Sequence, residues 1–182
     1  MKSTTVEGIV IKRSNLGEAD RLITLFTKTS GKMTVVARGV RKLSSKRAGS
    51  LELFNLIKAQ IIQGKGELGT LAEVQSINTF PIWRKHLGRV TLAYQMCEAV
   101  DKLTPDHQPH PQVFEILKGS LVEIGGLKID WKLKIENWLV EILVDLGFWP
   151  RDKVFSGDIV EFIESISSRS YNSPKLLAKL GK

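Results

Sequence analysis

Leu22–Ala37 reads Leu-Ile-Thr-Leu-Phe-Thr-Lys-Thr-Ser-Gly-Lys-Met-Thr-Val-Val-Ala, and it decides the fold class of the first part of the chain. Leu22–Thr27 and Met33–Ala37 are short runs rich in β-branched and large apolar residues. Thr29, Ser30, Gly31 and Lys32 between them are a turn signal. Strand, glycine-containing turn, strand is the signature of a hairpin. In the second run Met33, Val35 and Ala37 share one face, and Thr34, Val36 and Arg38 the other, because side chains alternate along a strand.

The same period recurs outward from this hairpin. Val6–Lys12 (VEGIVIK) is a β-branched run that precedes a polar loop, Ser14–Asp20. Phe54–Ile62 (FNLIKAQII) turns Ile57, Ala59 and Ile61 inward. In Thr70–Ile77 (TLAEVQSI), Ala72 and Val74 alternate with Leu71 and Glu73. Five short strands with a longer connection between the third and fourth match a five-stranded Greek-key β-barrel, of which the OB-fold is the commonest kind.

After Phe80–Pro81 the period changes to 3.6. Leu87, Val90, Tyr94, Cys97 and Val100 outline a first helical stripe, broken by Thr104–Pro111 (TPDHQPHP). Pro111 suits the first turn of a second helix. Phe114, Leu117, Leu121 and Ile124 form its stripe, and Gly125–Gly126 ends it. Asp130 is placed to cap a third helix carrying Ile135, Trp138, Leu139, Ile142, Leu143 and Leu146. Gly147 stops that helix, with Pro150 beyond. Asp158 is placed to cap a fourth, with Ile159, Phe162, Ile163 and Ile166 on one side. Ser167–Pro174 (SSRSYNSP) is polar and turn-rich, which predicts a frayed end. The reading is an α+β chain: an N-terminal OB-fold β-barrel over residues 1–79, then an α-helical domain over 80–182.

Charge separates the same two parts. The 182 residues carry a formal net charge of +8. Residues 1–79 hold 13 Lys and Arg against 6 Asp and Glu, and residues 80–182 hold 14 against 13. The excess is concentrated in the barrel, which points to a polyanionic partner there, nucleic acid being the usual one. A solvated basic face kept for solubility is the plainer reading, and concentration argues against it. No apolar run approaches the ~20 residues needed to span a membrane, and MKSTTVEG has no apolar signal region. The one cysteine, Cys97, forms no intrachain disulfide and no zinc cluster, in keeping with a cytoplasmic protein.

Arg38–Arg47 (RGVRKLSSKR) is the strongest local feature. It holds Arg38, Arg41, Lys42, Lys46 and Arg47 without an acidic residue. A positive segment beside a barrel suits phosphate contacts, which give affinity without sequence readout. Lys12, Arg13, Arg21 and Lys32 extend that surface if the strands pair as expected. The only aromatic residues of 1–79 are Phe26 and Phe54, both candidates for the core, so base-stacking platforms are sparse. Binding is therefore expected to be phosphate-dominated, salt-sensitive and tolerant of single and double strands.

Other motifs carry less. Gly64–Gly69 (GKGELG) matches G-x-G-x-x-G, but a dinucleotide site needs a helix to follow. Thr-Leu-Ala-Glu-Val follows instead, so the segment reads as a hairpin loop, with Lys65 as a possible DNA contact. His107 and His110 are two loop histidines, short of the three or four ligands zinc takes. Cys97 lies on an apolar stripe and reads as a small core residue. Trp131, Trp138 and Trp149 read as core of the helical domain, Trp149 being the most exposed. No phosphate-loop lysine motif, H-E-x-x-H or paired nucleophile and base appears. No cofactor, metal or catalytic residue is expected, and an enzyme is the least supported class.

Several of these stretches resemble the RecO family. Gly8-Ile9-Val10-Ile11-Lys12-Arg13 and Gly17-Glu18-Ala19-Asp20-Arg21-Leu22-Ile23-Thr24-Leu25-Phe26-Thr27 are similar to its N-terminal barrel. Gly31-Lys32, Val36-Ala37-Arg38-Gly39-Val40-Arg41, Ser45–Gly49 and Leu71-Ala72-Glu73 continue the likeness. Leu92-Ala93-Tyr94 with Glu98, and Leu146-Gly147-Phe148 with Pro150, extend it more loosely. The resemblance implies a recombination mediator that binds single- and double-stranded DNA and anneals complementary strands. It further implies partnership with RecR in loading RecA onto DNA coated by single-stranded-DNA-binding protein, whose tail docks on the helical domain. Many members carry a four-cysteine zinc motif after the position of Pro150, which is missing here, as in naturally zinc-less members. The C-terminal helices are expected to be shortened. Two further classes stay open from the residues themselves: an OB-fold protein–protein adaptor and an OB-fold RNA-binding factor.

Overall fold

A computed structural model describes residues 2–126 and 131–173. Its elements run β1 (Lys2–Leu16), β2 (Asp20–Thr27), β3 (Gly31–Ala37), β4 (Leu56–Gln63), β5 (Gly69–Asn78), α1 (Leu87–Leu103), α2 (Pro111–Glu123), α3 (Trp131–Asp145) and α4 (Ile159–Ser167), with a 3₁₀ turn at Gly49–Leu51. Two compact units result. The first takes the chain through Thr79 together with Asp106–Pro111, and the second begins at Phe80 and resumes at Gln112.

In the first unit the strand order β1-β2-β3-β5-β4 closes on itself. β1 makes the closure possible because it pairs twice. Lys2–Ile9 run antiparallel to Gln63–Leu56 of β4, and Gly8–Leu16 run antiparallel to Thr27–Asp20 of β2. Between the two halves Val10 faces Leu25 and Lys12 faces Thr24, so Ile11 is an extra residue, and such a bulge bends a strand toward a new neighbour. The last seam is parallel and short, Val35↔Gly69 and Val36↔Thr70. Alternate residues of every strand fill the interior, among them Val10, Ile23, Leu25, Val35, Ala37, Ile57, Ala59 and Ile61. The β2–β3 hairpin pairs Arg21 with Ala37 and Thr27 with Gly31, as the alternation in Met33–Ala37 requires.

Two details of the strands differ from the sequence reading. Phe54 precedes β4 rather than opening it. It has a φ of 73°, and its N–H donates to Val10 O at 2.8 Å. In β5, Leu71 and Val74 share the core face, whereas strict alternation puts Leu71 with Glu73. The cause is a second bulge: Gln60 faces Glu73 but Ile61 faces Leu71, leaving Ala72 over and inverting the alternation around it.

The second unit is helical. α2 buries Val113, Phe114, Leu117 and Leu121, and α3 buries Ile135, Trp138, Leu139, Ile142 and Leu143 on the predicted stripe. Asp158 caps α4 by accepting from the N–H groups of Val160 at 2.7 Å and Glu161 at 3.2 Å, which satisfies otherwise unpaired donors of its first turn. Gly147, at φ 78°, follows α3 as expected. Asp130, the expected cap of α3, lies outside the described residues.

The α1 stripe is rotated from its predicted position. Leu92, Ala93, Met96, Cys97, Ala99, Val100 and Leu103 are buried, while Leu87 and Tyr94 are exposed. α1 packs on both α3 and α4, so two flanks are covered and the simple one-stripe count fails. Trp83 is the largest fully buried side chain, its indole N–H donating to Leu121 O at 2.8 Å. Trp131 is exposed rather than core. Trp149 is half-buried, edge-on to Phe155 and Phe162 at ring separations of 4.9 and 5.5 Å.

The tail also differs from expectation. Tyr171 is fully buried, and its hydroxyl donates to Gln95 O at 2.6 Å. Its N–H donates to Glu164 Oε1 at 2.6 Å. Glu98 of α1 accepts from the N–H of Asn172 at 3.0 Å, from the N–H of Ser173 at 2.8 Å and from the Ser173 hydroxyl. Residues 171–173 are therefore tied to α1. A polar composition predicted fraying because it does not reveal which polar group on a distant helix will receive it.

Candidate nucleic-acid interface

The connection between β3 and β4 spans residues 38–55 and carries half of the predicted cationic residues, Arg38, Arg41, Lys42, Lys46 and Arg47. It is not a loose loop. Val40 and Leu51 are buried in the barrel core and pin it at two points. The β1–β2 turn then holds its first residues. Gly39 N–H donates to Asp20 Oδ1 at 2.7 Å, Arg41 N–H to Ala19 O at 2.9 Å, and Arg41 Nη1 to Gly17 O at 2.7 Å. The stretch Gly17–Asp20 thus works as a bracket for the basic segment.

Arg47 does different work from its neighbours. Its Nη1 donates to Leu71 O at 3.1 Å and Ala72 O at 3.2 Å, and its Nη2 to Arg38 O at 2.6 Å. Leu71 and Ala72 sit at the β5 bulge, where the regular ladder is interrupted. The rigid guanidinium fork bonds both of them and the far side of the loop at once. Arg47 is spent holding the loop to β5.

Arg13 and Arg21 flank Glu52 of the same connection, with Nη1 to Oε1 distances of 2.5 and 3.9 Å. Glu52 brings both beside the basic segment and offsets part of their charge. Lys12 is exposed on β1 beside Arg13. Lys32 does not join this surface. Its side chain is 9% exposed and meets Asp106 at 3.5 Å. It stands at the opposite end of β3 from Arg38, six residues or roughly 20 Å along an extended strand. Lys65 is exposed in the β4–β5 loop, a separate connection.

The exposed cations of the pinned loop are therefore Arg38, Arg41, Lys42 and Lys46. No acidic residue lies between positions 38 and 47. Such a surface suits a polyanion, whose counterions phosphate contacts would release. Phe26 and Phe54 are both buried, so neither phenylalanine of residues 1–79 serves as a stacking platform. Leu43 is 109% exposed in the middle of the basic run, an apolar residue that a charge-based reading passes over.

The remaining motifs resolve simply. Gly64–Gly69 joins antiparallel β4 and β5 with no helix after it, so it lacks the geometry of a dinucleotide site. His107 gives its backbone N–H to Lys32 O at 2.8 Å. Among the described residues no three His, Cys, Asp or Glu side chains are grouped to hold a metal ion. Burial, with Asp101 adding to it, pushes the Cys97 thiol far above its usual range, so it stays protonated and unreactive. Among the described residues no helix is long and apolar enough to cross a membrane.

Residues 1–80 match the family described as Recombination protein O N terminal, and residues 84–152 that described as Recombination protein O C terminal. Curated relatives carry the name DNA repair protein RecO. That of Cutibacterium acnes is 32% identical, with 79% of this chain and 61% of the relative aligned. That of Symbiobacterium thermophilum is 34% identical, over 80% and 57% respectively. That of a Roseiflexus species is 36% identical, over 80% and 50%. The chain spans between half and about three-fifths of the length of these relatives.

Proposed function

Because the chain belongs to the RecO family of DNA repair proteins, we propose that its first unit is an OB-fold module that grips the phosphates of single- and double-stranded DNA in recombinational repair. The observation that carries this is the pinned, acid-free loop 38–47, which presents Arg38, Arg41, Lys42 and Lys46 beside the closed strand order. Phosphate contacts position a protein on nucleic acid without reading sequence, as annealing of arbitrary complementary strands demands. The fuller role follows the family: acting with RecR to load RecA onto DNA coated by single-stranded-DNA-binding protein, with the helical unit receiving that protein's tail. On this reading the protein is a mediator and not an enzyme. The four-cysteine zinc motif that many members carry has no counterpart among these 182 residues, which hold one cysteine, so no zinc role is assigned.

Fluorescence anisotropy of labelled single-stranded DNA, at low and physiological salt, tests the reading. Binding should weaken steeply with salt. The double variant Arg41→Glu, Lys42→Glu should weaken all sequences alike and flatten the salt slope by about two or more. Binding equal to wild type in that variant would move the DNA surface elsewhere. A clear preference for an RNA strand of equal length would move the function to RNA.

A further inference from the structure

We propose that Leu43 is a base-contacting wedge, an apolar tip that enters against unstacked nucleobases once the surrounding cations have captured the phosphates. The inference rests on the DNA-binding reading and adds a second contact chemistry to it.

A lone exposed leucine is ordinary on a protein surface. This one is set apart by where the chain holds it. It is 109% exposed, more than any other large apolar residue among those described in the first unit. Two turn bonds fold the loop back on either side of it, Lys42 N–H to Gly39 O at 3.2 Å and Ser45 N–H to Lys42 O at 2.9 Å. The base of the loop is fixed by buried Val40 and by the bonds to Ala19 and Asp20. A pinned loop presents its tip at little further ordering cost on binding.

Charge places the ligand there. Arg41 and Lys42 precede Leu43 directly, Lys46 follows three residues later, and no acid intervenes. A strand whose phosphates sit on those cations brings its bases within reach of the tip. The strands and their connections have no exposed phenylalanine, tyrosine or tryptophan to meet them, since Phe26 and Phe54, the only such residues of 1–79, are buried. A branched aliphatic side chain laid against an exposed base face removes apolar surface from water on both partners, and aliphatic wedges also part stacked steps. The ligand class is therefore unstacked single-stranded DNA. A paired duplex is disfavoured because its bases must first be unstacked.

The test uses the full chain, a single-stranded oligonucleotide carrying one 2-aminopurine, and the variants Leu43→Ala and Leu43→Met. Wild type should raise the 2-aminopurine fluorescence by unstacking it. Leu43→Ala should lose that rise and bind single strands about fivefold more weakly with an unchanged salt slope, and Leu43→Met should restore both. Its melting temperature should equal wild type, because the side chain packs on nothing. A lowered melting temperature would overturn the wedge by showing Leu43 to be structural. Equal fluorescence and affinity in Leu43→Ala would overturn it too while leaving the phosphate grip intact, and the tip would then belong to a protein partner. Failure of wild type to bind at low salt would overturn the DNA reading itself, and the wedge with it.

Discussion

Gly39 donates its backbone N–H to Asp20 Oδ1 at 2.7 Å, so the first residue of β2 receives the start of the basic loop. With Arg41 bonded to Ala19 and Gly17, a short acidic turn fixes the position of a cationic segment twenty residues later. The acid here organises the cations instead of merely neutralising them.

Asp20→Ala should expose this dependence. The Gly39 N–H loses a charged acceptor, a loss of about 1–3 kcal/mol. In a chain of this size each kcal/mol lowers the melting temperature by about 2–4 °C. Trypsin should cut faster after Arg41 and Lys42, because the loop is released. Unchanged melting and unchanged cleavage would show that the loop is held without Asp20.

Arg47 and Arg41 should separate stability from binding. Arg47→Lys keeps the charge but cannot bond Leu71 O, Ala72 O and Arg38 O from one ammonium. We expect a stability loss of about 1–3 kcal/mol in urea, with the salt slope of DNA binding unchanged. Arg41→Glu should tilt the other way: it loses one exposed bond, to Gly17 O, and reduces the salt slope by about one. A lowered salt slope in Arg47→Lys would place Arg47 on the phosphates after all.

These two arginines also mark the reach of sequence reasoning. The five strands and most helix faces are legible because periodicity is a local property, as in Met33–Ala37 and Ile135–Leu143. The basic run is legible as composition. Which of its members is spent on the fold is not, because Arg47 answers to a bulge at Ala72 that only strand pairing creates. Lys32 is hidden from a sequence reading for the same reason. Its partner Asp106 lies beyond the whole of α1 and returns to the first unit in a segment that looks like a plain helix break. The rotated face of α1 likewise depends on covering by two helices, which no single helical wheel records.

Gly31 and Gly17 offer a matched comparison. Both have positive φ, 70° and 60°. At Gly31 a Cβ would lie 2.2 Å from Gln108 O and 2.4 Å from its carbonyl carbon, whereas at Gly17 nothing lies within 4 Å. Gly17→Ala should cost only left-handed backbone strain, about 1–2 kcal/mol. Gly31→Ala should cost more, because residues 106–111 must move off the β2–β3 turn. The Lys32–Asp106 pair and the His107 N–H to Lys32 O bond should go with them. Hydrogen exchange at the His107 amide should quicken in Gly31→Ala alone. Equal behaviour in both variants would mean that the segment yields freely.

Glu98 should make the seating of residues 171–173 sensitive to acid. Burial pushes its carboxyl up, but the N–H groups of Asn172 and Ser173, the Ser173 hydroxyl and nearby Lys102 outweigh it and hold the group below its usual 4.5. A carboxylate depressed in the folded state gives stability that is complete above its unfolded value. That stability is lost as the pH falls through the folded one. Below about pH 4.5 the wild-type melting temperature should therefore fall more steeply than that of Glu98→Gln, whose amide oxygen does not titrate. Near neutral pH the variant should be the less stable of the two, because a neutral acceptor bonds the same donors more weakly. The two profiles should converge in acid as wild-type Glu98 takes up its proton. Profiles that stay parallel throughout would show that Glu98 holds the tail without its charge, and the seating of Tyr171 would then rest on its burial and its bonds to Gln95 and Glu164.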